Sequence, residues 1–188
     1  MIAKIINRIL RLLRFFGYTY KAKGNKIYHK LTEKIEDFNI EEMIDRHFET
    51  WSSKNHPCYK TLKKTLLHLH KESQDLIILE TGSAAHGTKS TILFDNFSNY
   101  RKKKINILTC DIKINPYLDF KNSISQNTQF YCEDSVKFLE RFSKKYVNTN
   151  RNKLIYLDSF DLDFINPYPA AFHGLKEFIA IEPLLNKN

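Results

Sequence analysis

Four short apolar runs govern what this chain can fold into: "DLIILE" (75–80), "INILTC" (105–110), "TQFYC" (128–132) and "KLIYLD" (153–158). Each has the length of a strand and is too short for a buried helix. Amphipathic helical patterns lie between or after them, at about 89–100, 134–145 and 170–185, with a weaker, irregular stretch at 114–124. Strands apolar on both faces and separated by helices imply a parallel sheet covered on each side. The expected class is therefore α/β, a doubly wound parallel sheet, with ligands at the carboxyl ends of its strands. Two further helical segments precede it, at about 40–53 and 59–71, with Pro57 of "KNHP" read as the break between them. The Tyr- and Lys-rich stretch 17–30 reads as a linker. The expected organisation is a basic helix and linker over 1–31, a helical cap over 32–73 and the α/β domain over 74–188.

The charge is unevenly placed. The chain of 188 residues has a formal net charge of +9, yet residues 1–31 hold eight Lys and Arg and no acid. Without those eight, 22 basic residues face 21 acidic ones, so the body of the protein is nearly neutral. A nucleic-acid enzyme carries its basic stripe on the domain itself, so this distribution argues against nucleic acid as partner. In "MIAKIINRILRLLRFFGY" the cations Lys4, Arg8, Arg11 and Arg14 share one arc of about 120° on a helix, opposite Ile2, Ile5, Ile6, Ile9, Leu12, Leu13 and Phe16. Arginines interrupt what a signal peptide would need as an apolar core, and the segment is too short and charged to span a bilayer. Two readings stand: a helix lying on an anionic membrane surface through residues 1–17, or one docking on protein. Cys58, Cys110 and Cys132 form no C-x-x-C pair and are odd in number, which fits a reducing compartment. The expected location is cytoplasmic, with possible membrane association. Cys110 and Cys132 read as small buried hydrophobes in strands.

The chemistry concentrates in "ETGSAAHGTKST", Glu80 to Thr91, directly after the first apolar run. It nearly spells a phosphate loop, with Gly82 and Gly87 five apart and Lys89-Ser90 behind. In that loop, however, Lys directly follows the second Gly. Here Thr88 intervenes, rotating Lys89 by about 100° and moving it about 1.5 Å along the helix axis. Glu80 would also set a carboxylate beneath the triphosphate, where like charges repel. A dinucleotide fingerprint is excluded, because no G-x-G exists among the five glycines.

S-adenosylmethionine asks for the opposite chemistry. Its sulfonium and ammonium are cationic, its ribose offers a diol and its adenine an amine, so carboxylates favour it. Glu80 can receive the ammonium, Gly82 allows close backbone approach, and Ser83 and Gly87 continue the loop. Asp111 closes the second run, 24 residues beyond Gly87, near the spacing of a ribose-binding acid. In "YCEDS", Asp134 and Ser135 open a helix, where Asp134 can cap that helix and accept from the adenine amine. Each acid alone is an ordinary cap or strand end. Three at successive strand ends beside a Gly turn point to a methyl-donor site.

"ILETGSAAHGTKSTILFDNF", "LTCDI", "CEDSVKFL", "LIYLDSFDLDF" and "HGLKEFIAIEPLL" together resemble the Rossmann-like S-adenosylmethionine-dependent methyltransferases. Among these they look most like small methyltransferase-domain proteins with an E-T-G loop and a Y-L-D-S strand end, which often accompany sugar and cell-envelope biosynthesis genes. The resemblance covers about residues 74–187. It implies that Glu80, Gly82, Gly87 and Asp111 hold the methionine and ribose parts, and Asp134 and Ser135 the adenine. The loop departs from the commonest acid-x-Gly-x-Gly-x-Gly form at Ala84 and His86, and Gly87 is displaced by one. The family sheet has seven strands and four are counted here, so the expected fold is truncated after the fourth strand and its helix. A homo-oligomer covering the open sheet edge is one way to complete it.

For the transfer itself, Asp158 at the fourth strand end faces the methyl acceptor, and His173 is a candidate base or orienting group. "DSFDLDF" also offers Asp161 and Asp163, but turn and capping roles account for them and no metal is expected. His68 and His70, two apart on a helix, lie on different faces and share no ligand. The loop "NPYPAAF" reads as a rigid acceptor-side wall. The expected activity is methyl transfer to a small-molecule, cell-envelope or glycan-related acceptor. The alternatives are a catalytically silent cofactor binder or interaction protein, and a phosphate-loop-like nucleotide hydrolase.

Overall fold

The computed structural model describes residues 21–23, 26–28, 39–83, 87–101, 103–161 and 163–185. The amphipathic segment 1–17 lies outside them, as do Ala84 to His86 of the glycine loop. The chain divides into two units, one up to Leu67 and one from His68.

In the first unit, β1 (Lys21–Lys23) and β2 (Lys26–Tyr28) pair antiparallel within the stretch read as a linker. Helix α1 (Ile40–Trp51) starts where the Asn39 side chain accepts the N–H of Glu42, satisfying one of the four open donors of a first turn. Ile44 and Phe48 are fully buried along its inner face. Helix α2 (Pro57–Lys71) begins on the proline that the sequence reading treated as a break. The first helical position has no N–H to satisfy, so proline there starts a helix as readily as it ends one. Tyr59 sets its ring edge against Phe48 at 5.0 Å between centroids and donates its hydroxyl to Asp45 at 2.7 Å.

The second unit holds the sheet. Its strands are β3 (Leu76–Thr81), β4 (Ile105–Asp111), β5 (Thr128–Cys132) and β6 (Asn152–Leu157), all parallel, in spatial order β5-β4-β3-β6. In chain order the strands run 3-2-1-4, the Rossmann-like arrangement expected from the alternating runs. β3 is buried at every position, which is why "LIILET" carries no alternation. β5 lies at an edge, so its burial alternates loosely and Cys132 at its end is exposed. That corrects the reading of Cys132 as buried; Cys110, inside β4, is buried and burial pushes its thiol up.

Helix α3 (Ser90–Asn99) follows the glycine loop, and short α4 (Asn115–Phe120), with a 3₁₀ turn at Lys121–Ser123, occupies the stretch read as irregular. Helix α5 (Ser135–Tyr146) is capped by Asp134, whose side chain accepts the Lys137 N–H at 3.1 Å. Helix α6 (Tyr168–Leu185) starts earlier than its pattern suggested, taking in "YPAAF". Pro169 falls in the first turn, so the expected loop wall is instead the start of a helix. Phe138, Leu139, Phe142 and Tyr146 of α5 and Ala180, Ile181 and Leu184 of α6 bury one face of the sheet with Ile77, Leu79, Leu108 and Cys110. On α3, Phe94 and Phe97 are fully buried, and the Phe94 ring meets Tyr156 of β6 edge-on at 5.6 Å. Asp95 on the same helix is 3% exposed; it accepts the Ser125 N–H and the hydroxyls of Ser125 and Thr128, tying α3 to the start of β5.

Candidate functional site

The chain leaves β3 toward β4 and β5 on one side and returns to β6 on the other, so the strand order reverses between β3 and β6. Loops diverge at such a point, and open α/β sheets bind ligands there.

Glu80 is the next-to-last residue of β3 and is fully buried. Its Oε1 accepts the Ser90 hydroxyl at 2.5 Å and its Oε2 the Thr91 hydroxyl at 2.6 Å. The carboxylate therefore lies under the glycine loop and holds the first turn of α3. Burial raises its pKa from 4.5 to about 7; the hydroxyls of Ser90, Thr91 and Thr109 oppose that rise and the charge of Asp158 adds to it. Lys89 precedes the helix in the left-handed region, at φ 51, an uncommon conformation for a residue with a side chain. Burial lowers its pKa.

Gly82 has φ +77, and a Cβ there would stand 1.9 Å from the carbonyl oxygen of Asp158 and 2.9 Å from Cα of Ser159. The close approach that needs glycine at this position is thus to the backbone leaving β6. The N–H groups of Gly82 and Ser83 both donate to the Cys110 carbonyl, and the Ser83 hydroxyl bonds that of Thr109 at 2.7 Å. The loop is fastened to β4 on one flank and abuts β6 on the other. A Cβ added to Gly87, at φ +62, would meet none of the described residues within 4 Å.

Asp111, half-buried at the end of β4, accepts the Lys113 N–H on Oδ1 at 2.8 Å, and its carbonyl accepts the Glu133 N–H. One strand further out, Asp134 caps α5 and Ser135 is buried behind it. Ser135 and His173, placed on separate parts of the site by the sequence reading, are brought together: Ser135 Oγ is 2.8 Å from His173 Nε2. Asp158 is exposed at the end of β6, its N–H donating to Thr81. Asp163 accepts the Ile165 N–H as a turn acid, and among the described residues no group of three His, Cys, Asp or Glu side chains is placed to hold a metal ion.

Two members of the network escaped the sequence reading. Ser159 donates to Oε1 of Glu177 at 2.6 Å and lies 3.4 Å from Ser135 Oγ; Glu177, 2% exposed, also lies 3.6 Å from His173 Nε2. The available signal was the spacing of Glu177, one turn after His173 on the same helix. Asp158 and Ser159 at the end of β6, Ser135 on α5 and His173 and Glu177 on α6 form one connected edge of the site. Asp111 and Asp134 form the other.

No protein-family model matches the sequence, and neither does any curated protein. Solved structures do match. One is "MycE Methyltransferase from the Mycinamycin Biosynthetic Pathway in Complex with Mg and SAH", with TM-score 0.48 and 16% identity over 80% of this chain and 38% of that one. Another is the same protein with Mg, SAH and mycinamycin VI, with TM-score 0.47 and 16% identity over 80% and 35%. This chain therefore spans little more than a third of the length of the chains it matches, and the likeness concerns the fold. Among the described residues no helix is long and apolar enough to cross a membrane.

Proposed function

We propose that this chain binds S-adenosylmethionine at the carboxyl ends of β3, β4 and β5 and transfers its methyl group to a small-molecule, cell-envelope or glycan-related acceptor beside β6. The observation that carries the reading is the state of Glu80. A phosphate loop needs its first helical hydroxyl for a metal ion and its strand end free of negative charge. Here the Ser90 and Thr91 hydroxyls are spent on a buried carboxylate in the same place.

The donor set fits the cofactor. Asp111 has Oδ1 fixed by the Lys113 N–H, which orients Oδ2 for a ribose hydroxyl. Asp134 and Ser135 stand one strand further, toward the adenine, and the Glu80 charge favours the methionine ammonium. When bound, S-adenosylmethionine supplies a methyl group made electrophilic by its sulfonium. The chain's contribution is alignment and proton removal. An acceptor hydroxyl taking that methyl group would have to give its proton to a base beside it. Asp158, exposed at the end of β6, is the base in this reading. His173 and Ser135 shape the wall beside it.

Calorimetry with S-adenosylhomocysteine and with Mg-ATP tests the assignment. Binding of the first and not the second supports it, and binding of Mg-ATP alone overturns it. Incorporation of labelled methyl groups from S-adenosylmethionine into cell extract separates an enzyme from a silent binder, which would bind the cofactor and transfer nothing. The basic segment 1–17 adds a membrane partner to the proposal: flotation with anionic vesicles should retain the intact chain and lose one lacking those residues.

A further inference from the structure

Four polar groups at the carboxyl end of the sheet close into a ring, and the direction of each bond in it follows from how many protons each group owns. Ser159, one residue beyond Asp158, has a single hydroxyl proton and gives it to Oε1 of Glu177 at 2.6 Å. Ser135, the first residue of α5, donates its own proton to Ser159 Oγ across 3.4 Å, a long contact. The Ser135 oxygen is left to accept, and His173 Nε2 stands 2.8 Å from it. Nε2 also lies 3.6 Å from Glu177 Oε1, which closes the ring.

One alternative has to be weighed. Ser135 could turn its proton onto Nε2 instead, leaving the 3.4 Å contact empty and the imidazole protonated on Nδ1. Glu177 decides between the two. Its carboxylate is buried on α6, and a buried anion is stable where polar hydrogens reach it. A proton on Nε2 is attracted to Oε1 across 3.6 Å, whereas a lone pair on Nε2 would face the anion with like sign. The carboxylate therefore selects a proton on Nε2 twice over, directly and through the two serines. In a neutral imidazole the lone pair then lies on Nδ1. The ring is held in register because His173 and Glu177 sit one turn apart on α6 and the Phe160 ring packs on that of His173, 5.4 Å between centroids.

We infer that Glu177 is a positioning residue: directly and through Ser159 and Ser135, it holds His173 with the proton on Nε2 and the lone pair on Nδ1. What this means for recognition rests on the proposed function, in which the methyl acceptor lies beside β6. The imidazole then accepts a hydrogen bond there, as does the carboxylate of Asp158. The acceptor group that meets His173 accordingly carries a hydrogen, as a hydroxyl or amine does and a carboxylate or phosphate does not.

Nitrogen-15 NMR of the labelled full chain at a pH about two units above the usual imidazole value reads the tautomer directly, with the His173 signals assigned by their loss in His173→Gln. The form protonated on Nε2 should prevail by about ten to one or more. Glu177→Gln removes the anion and should lower that ratio by about threefold or more, while Ser135→Ala leaves the anion in place and should keep the proton on Nε2. A proton found on Nδ1 in the parent overturns the inference, as does a ratio that Glu177→Gln leaves unchanged. The parent spectrum alone decides the first point, whatever the variants do on folding. No cofactor or acceptor enters this measurement, so a failure of the methyl-donor reading shows in calorimetry and leaves the tautomer as it is. For recognition, methyl transfer from S-adenosylmethionine into cell extract compares His173→Asn, whose Oδ1 can stand where Nδ1 stood, with His173→Gln, whose amide stands in for Nε2. The Asn variant should keep about tenfold more transfer. Equal rates overturn the assignment of Nδ1 to the acceptor.

Discussion

Replacing Glu80 by Gln should change the stability of the domain with a sign that depends on pH. The folded carboxyl titrates near 7 and the unfolded one near 4.5, because the buried site disfavours the charge. Between those values the folded state holds the proton more firmly than the unfolded state, so stability is fully present below pH 4.5 and is lost as pH rises through 7. A displacement of that size corresponds to about 3 kcal/mol. Gln keeps the shape and cannot ionise, so it is spared that loss. It has one oxygen where two hydroxyls donate, Ser90 at 2.5 Å and Thr91 at 2.6 Å, and leaving one of them poorly bonded costs about 1 kcal/mol. At pH 5 the two effects should therefore nearly cancel, leaving the variant within about 0.5 kcal/mol of the parent, and at pH 8 the variant should be about 2 kcal/mol more stable. Urea unfolding followed by far-ultraviolet circular dichroism at pH 5, 6, 7 and 8 measures this difference, and every other titrating group cancels in it. A difference that stays constant across the four pH values refutes the argument that desolvation governs Glu80. In the proposed function the same variant loses the charge facing the ammonium, so it should be more stable at pH 8 and yet bind S-adenosylhomocysteine more weakly.

Gly82→Ala forces a Cβ to within 1.9 Å of the Asp158 carbonyl oxygen at a positive φ, and should lower stability by more than about 3 kcal/mol in urea unfolding. Phe138→Ala empties a fully buried position between α5 and the sheet, and should cost about 3 to 5 kcal/mol by the same measurement. Asp111→Asn should weaken S-adenosylhomocysteine binding at least tenfold in calorimetry with little change in melting temperature, since its carboxylate is half-buried at the strand end. Asp158→Asn should leave that binding unchanged and lower methyl transfer about a hundredfold or more in single-turnover experiments.

The sheet was legible in the sequence because burial on both faces writes itself as an unbroken apolar run, as in Leu76 to Leu79. Elements whose environment is one-sided or set by distant partners were less so. Cys132 reads like Cys110 in isolation, and only the position of β5 at an edge leaves it exposed. Pro57 and Pro169 gave a break and a loop because proline marks helix starts and helix ends alike. In the site, the acid-Gly turn and the strand-end acids were evident from spacing alone. The Ser135–His173–Glu177–Ser159 network was not, because it joins residues up to 42 positions apart on three elements. Gly82 was singled out for close backbone approach to a ligand, whereas the neighbour that leaves no room for a Cβ, the backbone of Asp158 and Ser159, lies 76 and more residues away in the chain.

The strand order also sets the sequence of events by which the site comes into being. Leu76 of β3 faces Ile105 of β4, 29 residues on, and Asn152 of β6, 76 residues on. Closing the longer loop costs more entropy and returns its contacts later, so β3, β4 and β5 can associate while β6 is still searching for its place. Until β6 docks, Gly82 has no wall beside it and the edge that carries Asp158 and Ser159 is missing. Ligand affinity in a refolding experiment would therefore rise with the last phase of folding, even where most of the helix signal has already returned.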